Sequence, residues 1–160
     1  MATWGDGPEL RAKQYAQRYD RLIEDQLGFG YDGIVFSTTC QSAIKALRYE
    51  PLYQRERDVY LRIEEQGVTE VCGCRIPKLL HTDDELWVIE MRIVSPPFVL
   101  DFAGAYLDFP PDFPDDVMEA WRAEKRDQFG ADWPRVQDIM REFRSMGIYL
   151  ADVKPGNITL

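Results

Sequence analysis

The spacing of apolar residues changes character at Ser95-Pro96-Pro97. Before it, apolar positions fall in short alternating or continuous runs between turn residues, as strands require; after it they recur at helical spacing. Pro8 to about Arg18 predicts a short helix with Pro near its first turn. Tyr19 to Leu27, Ile34 to Thr39 and Gln41 to Leu47 predict three strands of an antiparallel meander, the second β-branched and aromatic. Pro51 to about Glu65 predicts a helix with Leu52, Val59 and Ile63 on one face and Glu56 nearby. Arg75 to Leu80 and Glu85 to Val94 predict two more strands around a turn at His81-Thr82-Asp83-Asp84. The second is almost continuously apolar, as a central strand would be. Asp108 to Asp116 is an acidic, Pro-rich loop, and Asp116 is placed to cap a helix through about Gln128. Trp133 to Met146 predicts a second helix there, with Val136, Ile139, Met140 and Phe143 on one face and Gly147 at its end.

Composition narrows the partners. The chain has 160 residues, 45% hydrophobic and 29% charged, a balance that can bury a core. Its formal net charge of −9 disfavours a phosphate backbone or an anionic membrane as partner. A local Lys, backbone N–H groups and Mg²⁺ can still hold a nucleotide in an acidic protein. No apolar run approaches the ~20 residues of a membrane span. Three cysteines, Cys40, Cys72 and Cys74, without a signal sequence point to a reducing, cytoplasmic setting. Cys72-Gly73-Cys74 reads as a turn bearing two ordinary thiols, since a zinc site would need more ligands.

Five segments carry candidate chemistry. Gly28-x-Gly30-x-x-Gly33-x-Val35 precedes a strand instead of opening a helix, so it suits a glycine hairpin whose N–H groups approach phosphates, or simply a flexible hairpin. In Ala43-Ile44-Lys45 the small residue and the ammonium share a strand face. The first leaves room for a flat base and the second reaches phosphates; the plain alternative is an edge charge. Glu56 is placed to pair with Lys45, or is an ordinary surface Glu. The strand Leu86 to Val94 would line an adenine pocket, with Ile89 and Glu90 both open for its back, or is a plain core strand. Asp152-Val153-Lys154-Pro155-Gly156-Asn157 sets a proton-accepting carboxylate, a phosphate-reaching Lys and a Mg²⁺-ligating Asn at suggestive spacings, against a polar turn as the alternative.

Taken in order, these segments resemble the protein kinase family from about Tyr19 to Leu160. LGFGYDGIVF resembles its glycine-rich loop, SAIKAL the strand of its phosphate-pairing Lys, and YQRERDVYLRI the helix of the Glu that pairs with that Lys. GIYLADVKPGNI resembles its catalytic loop. The resemblance implies an α+β fold: an N-lobe of a five-stranded antiparallel sheet plus one helix, and a truncated helical C-lobe. It assigns ATP contacts to Gly28, Gly30, Gly33, Val35, Ala43, Lys45, Glu56 and Met91, catalysis to Asp152 and Lys154, and Mg²⁺ to Asn157. Lys154 marks Ser/Thr protein kinases. Small-molecule kinases of the aminoglycoside type share the Asp and Asn but typically lack the Lys-Pro.

Two departures shape the expectation. The family's His-Arg-Asp reads Leu150-Ala151-Asp152, which removes the Arg that a phosphorylated activation loop engages. The family's Asp-Phe-Gly motif follows the catalytic loop, and nothing matches it after Asn157. The organisation expected is an N-terminal helical extension over 1–18, an N-lobe over 19–94 and a partial C-lobe over 95–160. The function expected is a Ser/Thr kinase-like protein with an ATP cleft, Lys45 and Asp152 on its opposite walls, and impaired or absent phosphotransfer. A carboxylate borrowed from Asp108, Asp112, Asp115 or Asp116 would be the rescue. The alternative is a pseudokinase-like interaction module without turnover. The apolar face of the 133–146 helix, and the end at Ile158 to Leu160, are expected to need cover from a protein partner, a second copy or the N-terminal helix.

Overall fold

The computed structural model describes residues 7–160, so the first six residues of the expected N-terminal extension lie outside the described residues. The chain forms two compact units: one runs up to Leu61 and adds Pro77–Ile93, the other comprises Arg62–Ile76 and Val94–Leu160.

The first unit holds helix α1 (Pro8–Arg18) and strands β1 (Ile23–Phe29), β2 (Gly33–Thr38) and β3 (Ser42–Leu47). Helix α2 (Glu50–Glu65) begins in it. After the two-residue strands β4 (Glu70–Val71) and β5 (Cys74–Arg75) of the other unit come β6 (Leu79–Asp83) and β7 (Val88–Arg92). The sheet is antiparallel and five-stranded in the order β1-β2-β3-β7-β6, with the apolar β7 inside it as its composition predicts.

Strand alternation gives this sheet two chemically different faces. Ile34, Phe36, Ile44, Ala46 and Val88 face one side and close a core with Ala12, Tyr15 and Ala16 of α1. A buried polar net fixes the helix there. Glu90 accepts hydrogen bonds from the hydroxyls of Ser42 and Tyr15 at 2.7 Å each and from Arg21 Nε at 2.9 Å. Arg11, 1% exposed, donates to the carbonyls of Leu86 and Leu47. The opposite face receives α2, whose Glu56 and Tyr60 reach Lys45 and Met91.

Several boundaries move for physical reasons. The first strand starts at Ile23 because Tyr19–Leu22 is consumed in leaving α1: Asp20 takes a positive φ of 53° and Arg21 N–H returns to the Ala16 carbonyl. The expected strand over 75–80 splits around Pro77, which cannot donate to a ladder. His81–Asp83 extends β6, because Asp83 accepts the Glu85 and Leu86 N–H groups and places the turn at 84–87. Asp116 does not cap α3 (Asp115–Phe129): the helix starts one residue earlier, behind Pro114, without a side-chain cap.

The second unit contains α3, a 3₁₀ turn at Gly130–Asp132 and α4 (Trp133–Ser145). Its short strands are β4 and β5, β8 (Phe98–Val99), β9 (Tyr106–Leu107), β10 (Ile148–Tyr149) and β11 (Ile158–Thr159). Cys72-Gly73 forms the turn of the β4–β5 hairpin, with positive φ at both residues. The expected bare face of α4 is corrected here. Val136, Ile139 and Phe143 are fully buried, Phe143 against the Phe102 ring at 5.6 Å. Ile158 is also buried, paired across from Val99. Segments 98–107 and 148–159, remote in sequence, supply the cover that a partner was expected to give.

Candidate functional site

In the first unit, β2–β3–β7 register gathers the expected nucleotide residues. Val35 lies opposite Lys45, Lys45 opposite Ile89, and Ala43 opposite Met91. Directly opposite residues share a face, so Val35, Ala43, Lys45, Ile89 and Met91 all point toward α2. Glu90 points the other way, into the net under α1, which removes it from this face and leaves Ile89.

Lys45 Nζ donates to Glu56 Oε1 at 2.8 Å, with side chains only 8% and 1% exposed. Glu56 falls on the buried side of α2 with Tyr53, Val59 and Tyr60, so helical periodicity fixes it as firmly as any apolar residue there. Tyr60 adds a hydrogen bond to the Met91 sulfur at 3.1 Å. The face therefore presents a small residue, a thioether and one immobilised ammonium.

Gly28 pairs with Val35, and the β1–β2 hairpin closes through Gly30 N–H to the Gly33 carbonyl. The three glycines are not equivalent. A Cβ on Gly33 would collide with the Ala46 carbonyl oxygen, whereas none would meet any atom within 4 Å at Gly28 or Gly30. The fold demands only Gly33; open backbone at the other two suits a closely approaching ligand. Arg48 holds the hairpin tip, donating from Nε to the Tyr31 carbonyl at 2.9 Å and from Nη2 to the Gly30 carbonyl at 3.1 Å. Its own N–H binds the Asp32 carbonyl. Sequence reasoning missed this clamp, because the Arg follows the strand after the hairpin and only register brings it back.

In the second unit, Val153 is buried and anchors the loop after β10. The Lys154 carbonyl receives the Asn157 and Ile158 N–H groups and curls the loop back on itself. Asn157 Nδ2 donates to the Asp152 carbonyl and to Asp152 Oδ2, both at 2.9 Å. Lys154 Nζ lies 3.4 Å from the same Oδ2. The Asp152 carboxylate is thus oriented by an amide and flanked by a cation, while a third of its side chain stays open to solvent. An Asn that spends its N–H₂ group this way directs its carbonyl oxygen elsewhere, as an oxygen ligand for a hard cation should.

Of the four carboxylates considered for a borrowed role, Asp108 is engaged by both Arg62 nitrogens at 2.9 and 3.1 Å, and hydrogen bonding to that guanidinium lowers its pKa. Asp112 lies exposed in the Pro-rich loop, and Asp115 and Asp116 begin α3. The segment that strand pairing brings alongside the loop carries Asp101. The β8–β11 pairing sets Val99 opposite Ile158, and Leu100 N–H donates to the Asn157 carbonyl at 2.7 Å. Asp101 follows Leu100 directly. The available signal was the tetrapeptide Asp101-Phe102-Ala103-Gly104, upstream of the loop instead of after it.

No protein-family model matches the chain, and no curated protein matches it. Among solved structures the chain is similar to the streptomycin–ATP ternary complex of APH(2″)-IIa, at 10% identity and a TM-score of 0.46, over 90% of this chain and 40% of that one. It is also similar to ADP-bound aminoglycoside phosphotransferase APH(2″)-Ib, at 12% identity and a TM-score of 0.45, over 91% of this chain and 41% of that one. The chain thus spans about two-fifths of the length of these structures.

Proposed function

We propose that the protein is an ATP-dependent phosphotransferase of the kinase type. The observation that carries the reading is the buried Lys45–Glu56 pair on a sheet face shared with Val35, Ala43 and Met91. Burying two charges is costly and seldom a net source of stability, so a pair kept on the strand next to a glycine hairpin favours a ligand-directed role. Lys45 binds phosphate oxygens, Glu56 sets its position, and the hairpin amides cover the phosphates.

The loop of the second unit, taken by itself, carries the complementary chemistry of phosphotransfer. As the acceptor hydroxyl oxygen forms its bond to the γ-phosphorus and the bond to ADP breaks, Asp152 takes the hydroxyl proton. Asn157 keeps that carboxylate aimed, and Lys154 offsets the charge that builds on the transferred group. Lys154, two residues after Asp152, favours a Ser/Thr protein hydroxyl as acceptor. Mg²⁺ would neutralise phosphate charge in this chemistry, and Asn157 with a neighbouring carboxylate has the hard oxygen donors it prefers.

The test is a thermal-shift titration with ATP, with and without Mg²⁺, alongside transfer of labelled phosphate to a generic protein substrate. The reading predicts an ATP-dependent rise in melting temperature that Lys45→Ala removes, and transfer that Asp152→Asn lowers by about a hundredfold or more. An unshifted melt with ATP, or transfer that survives Asp152→Asn, refutes it.

A further inference from the structure

Two pairs of short strands force one loop against another. Ile158 and Thr159, just after the Asp152–Asn157 loop, pair with Val99 and Phe98; Ile148 and Tyr149, just before it, pair with Leu107 and Tyr106. Both pairings are antiparallel, so residues 100–105 run opposite residues 150–157 and are clamped at both ends. Contacts inside the clamp fix the register. Leu100 N–H meets the Asn157 carbonyl, and a Cβ placed on Gly104 would lie 3.8 Å from Ala151 Cβ. Phe102 is 1% exposed and packs on Phe143 of α4, which anchors the upper loop in the core. Asp101 stands between these contacts, with a positive φ of 63° and Oδ1 accepting the Ala103 N–H at 3.0 Å.

We infer that Asp101 supplies the second protein oxygen of a divalent-cation site shared with Asn157, delivered by a segment that precedes the catalytic loop in the chain. A carboxylate and an amide oxygen from two clamped loops make a hard, partial ligand set, of the kind Mg²⁺ or Mn²⁺ completes with water or phosphate. The inference rests on the phosphotransferase reading for the cation's purpose, but not for its existence. It also reverses the expectation that phosphotransfer must be impaired for want of a carboxylate beyond Asn157: strand pairing, not chain order, decides which Asp reaches the loop.

The probe is Mn²⁺, titrated into the full chain and followed by the paramagnetic resonance of the free ion, with and without ATP. The variants are Asp101→Asn and Asp101→Gly, since both residues accept a positive φ. Asp112→Asn is the charge-matched control, from an exposed loop position. Loss of a partner one step removed from a metal already weakens binding about 10–100-fold, so loss of the carboxylate itself should weaken Mn²⁺ binding at least about tenfold. The control should stay within about twofold, the ordinary reach of one distant surface charge. In the unaltered chain, Mn²⁺ should broaden the amide resonances of residues 100–102 and 156–158 before others, a readout that needs no variant. Unchanged Mn²⁺ affinity in the Asp101 variants, equal loss in the control, or no Mn²⁺ uptake with or without ATP overturns the inference. Asp101-dependent Mn²⁺ uptake without any ATP binding would uphold the cation site and refute the nucleotide reading.

Discussion

Replacing Glu56 by Leu takes from the Lys45 ammonium, whose side chain is only 8% exposed, the carboxylate it meets at 2.8 Å. Breaking a buried pair from one side costs about 3–5 kcal/mol, because the remaining charge keeps its desolvation penalty. Lys45→Met should cost a similar amount for the mirror reason. The double variant Lys45→Met/Glu56→Leu removes both penalties and puts apolar groups beside Tyr60 and Met91, whose contact already lines that face. Its stability should return to within about 1 kcal/mol of the unaltered protein or exceed it. Urea unfolding at pH 7, followed by far-ultraviolet circular dichroism, gives the four stabilities of the cycle, and a coupling of at least about 5 kcal/mol is expected from those figures. A double variant as unstable as the sum of the singles would refute the argument. It would show that the two charges act separately and that their contact contributes nothing.

Three further outcomes test the rest. Gly33→Ala should destabilise by about 1–3 kcal/mol because its methyl group meets the Ala46 carbonyl, whereas Gly28→Ala and Gly30→Ala should leave the urea midpoint nearly unchanged and weaken ATP binding; equal effects on stability at all three would refute the distinction. Arg48→Ala should speed amide hydrogen exchange at Gly30 and Gly33 and raise the ATP dissociation constant while leaving the β3–β7 amides protected; unchanged exchange at the tip would refute the clamp. Burial alone would raise the Glu90 pKa, but hydrogen bonds from Ser42, Arg21 and Tyr15 outweigh it and leave it lowered. Such a group stabilises fully above its ordinary value, near 4.3, and loses that contribution as pH falls through its lower folded value. Ser42→Ala should therefore cost more stability at about pH 7 than at about pH 3; an equal loss at both would refute the assignment.

Much of the first unit was legible because its determinants are local. Period-two runs, a glycine hairpin and a helix with Glu56 on its buried side define β2, β3 and α2 nearly to their ends and place β7, though not its start. The Lys45–Glu56 contact follows from strand and helix periodicity over eleven residues. Harder to read were features decided by non-local partners. Two-residue strands such as β8 and β10 carry no periodic signal, so the pairing of 98–107 with 148–159 was invisible, and with it both the cover over α4 and the place of Asp101. Glu90 reads in sequence as a charge interrupting an apolar strand; only register sends it to the α1 face, where Tyr15 and Arg21 satisfy it. The turn at 84–87 escaped because the Asp83 carboxylate replaces backbone acceptors, a choice among three adjacent polar residues that spacing alone does not make.

The central claim is that the sheet face bearing Lys45 exists to bind nucleotide phosphates. Calorimetric titration of ATP into the unaltered protein and into the Lys45→Met/Glu56→Leu double variant tests it most directly, since that variant is expected to keep its fold. The account predicts saturable binding to the first and at least a tenfold loss, about 1.4 kcal/mol, in the second. Equal affinity in both, or no binding by the unaltered protein, would contradict it.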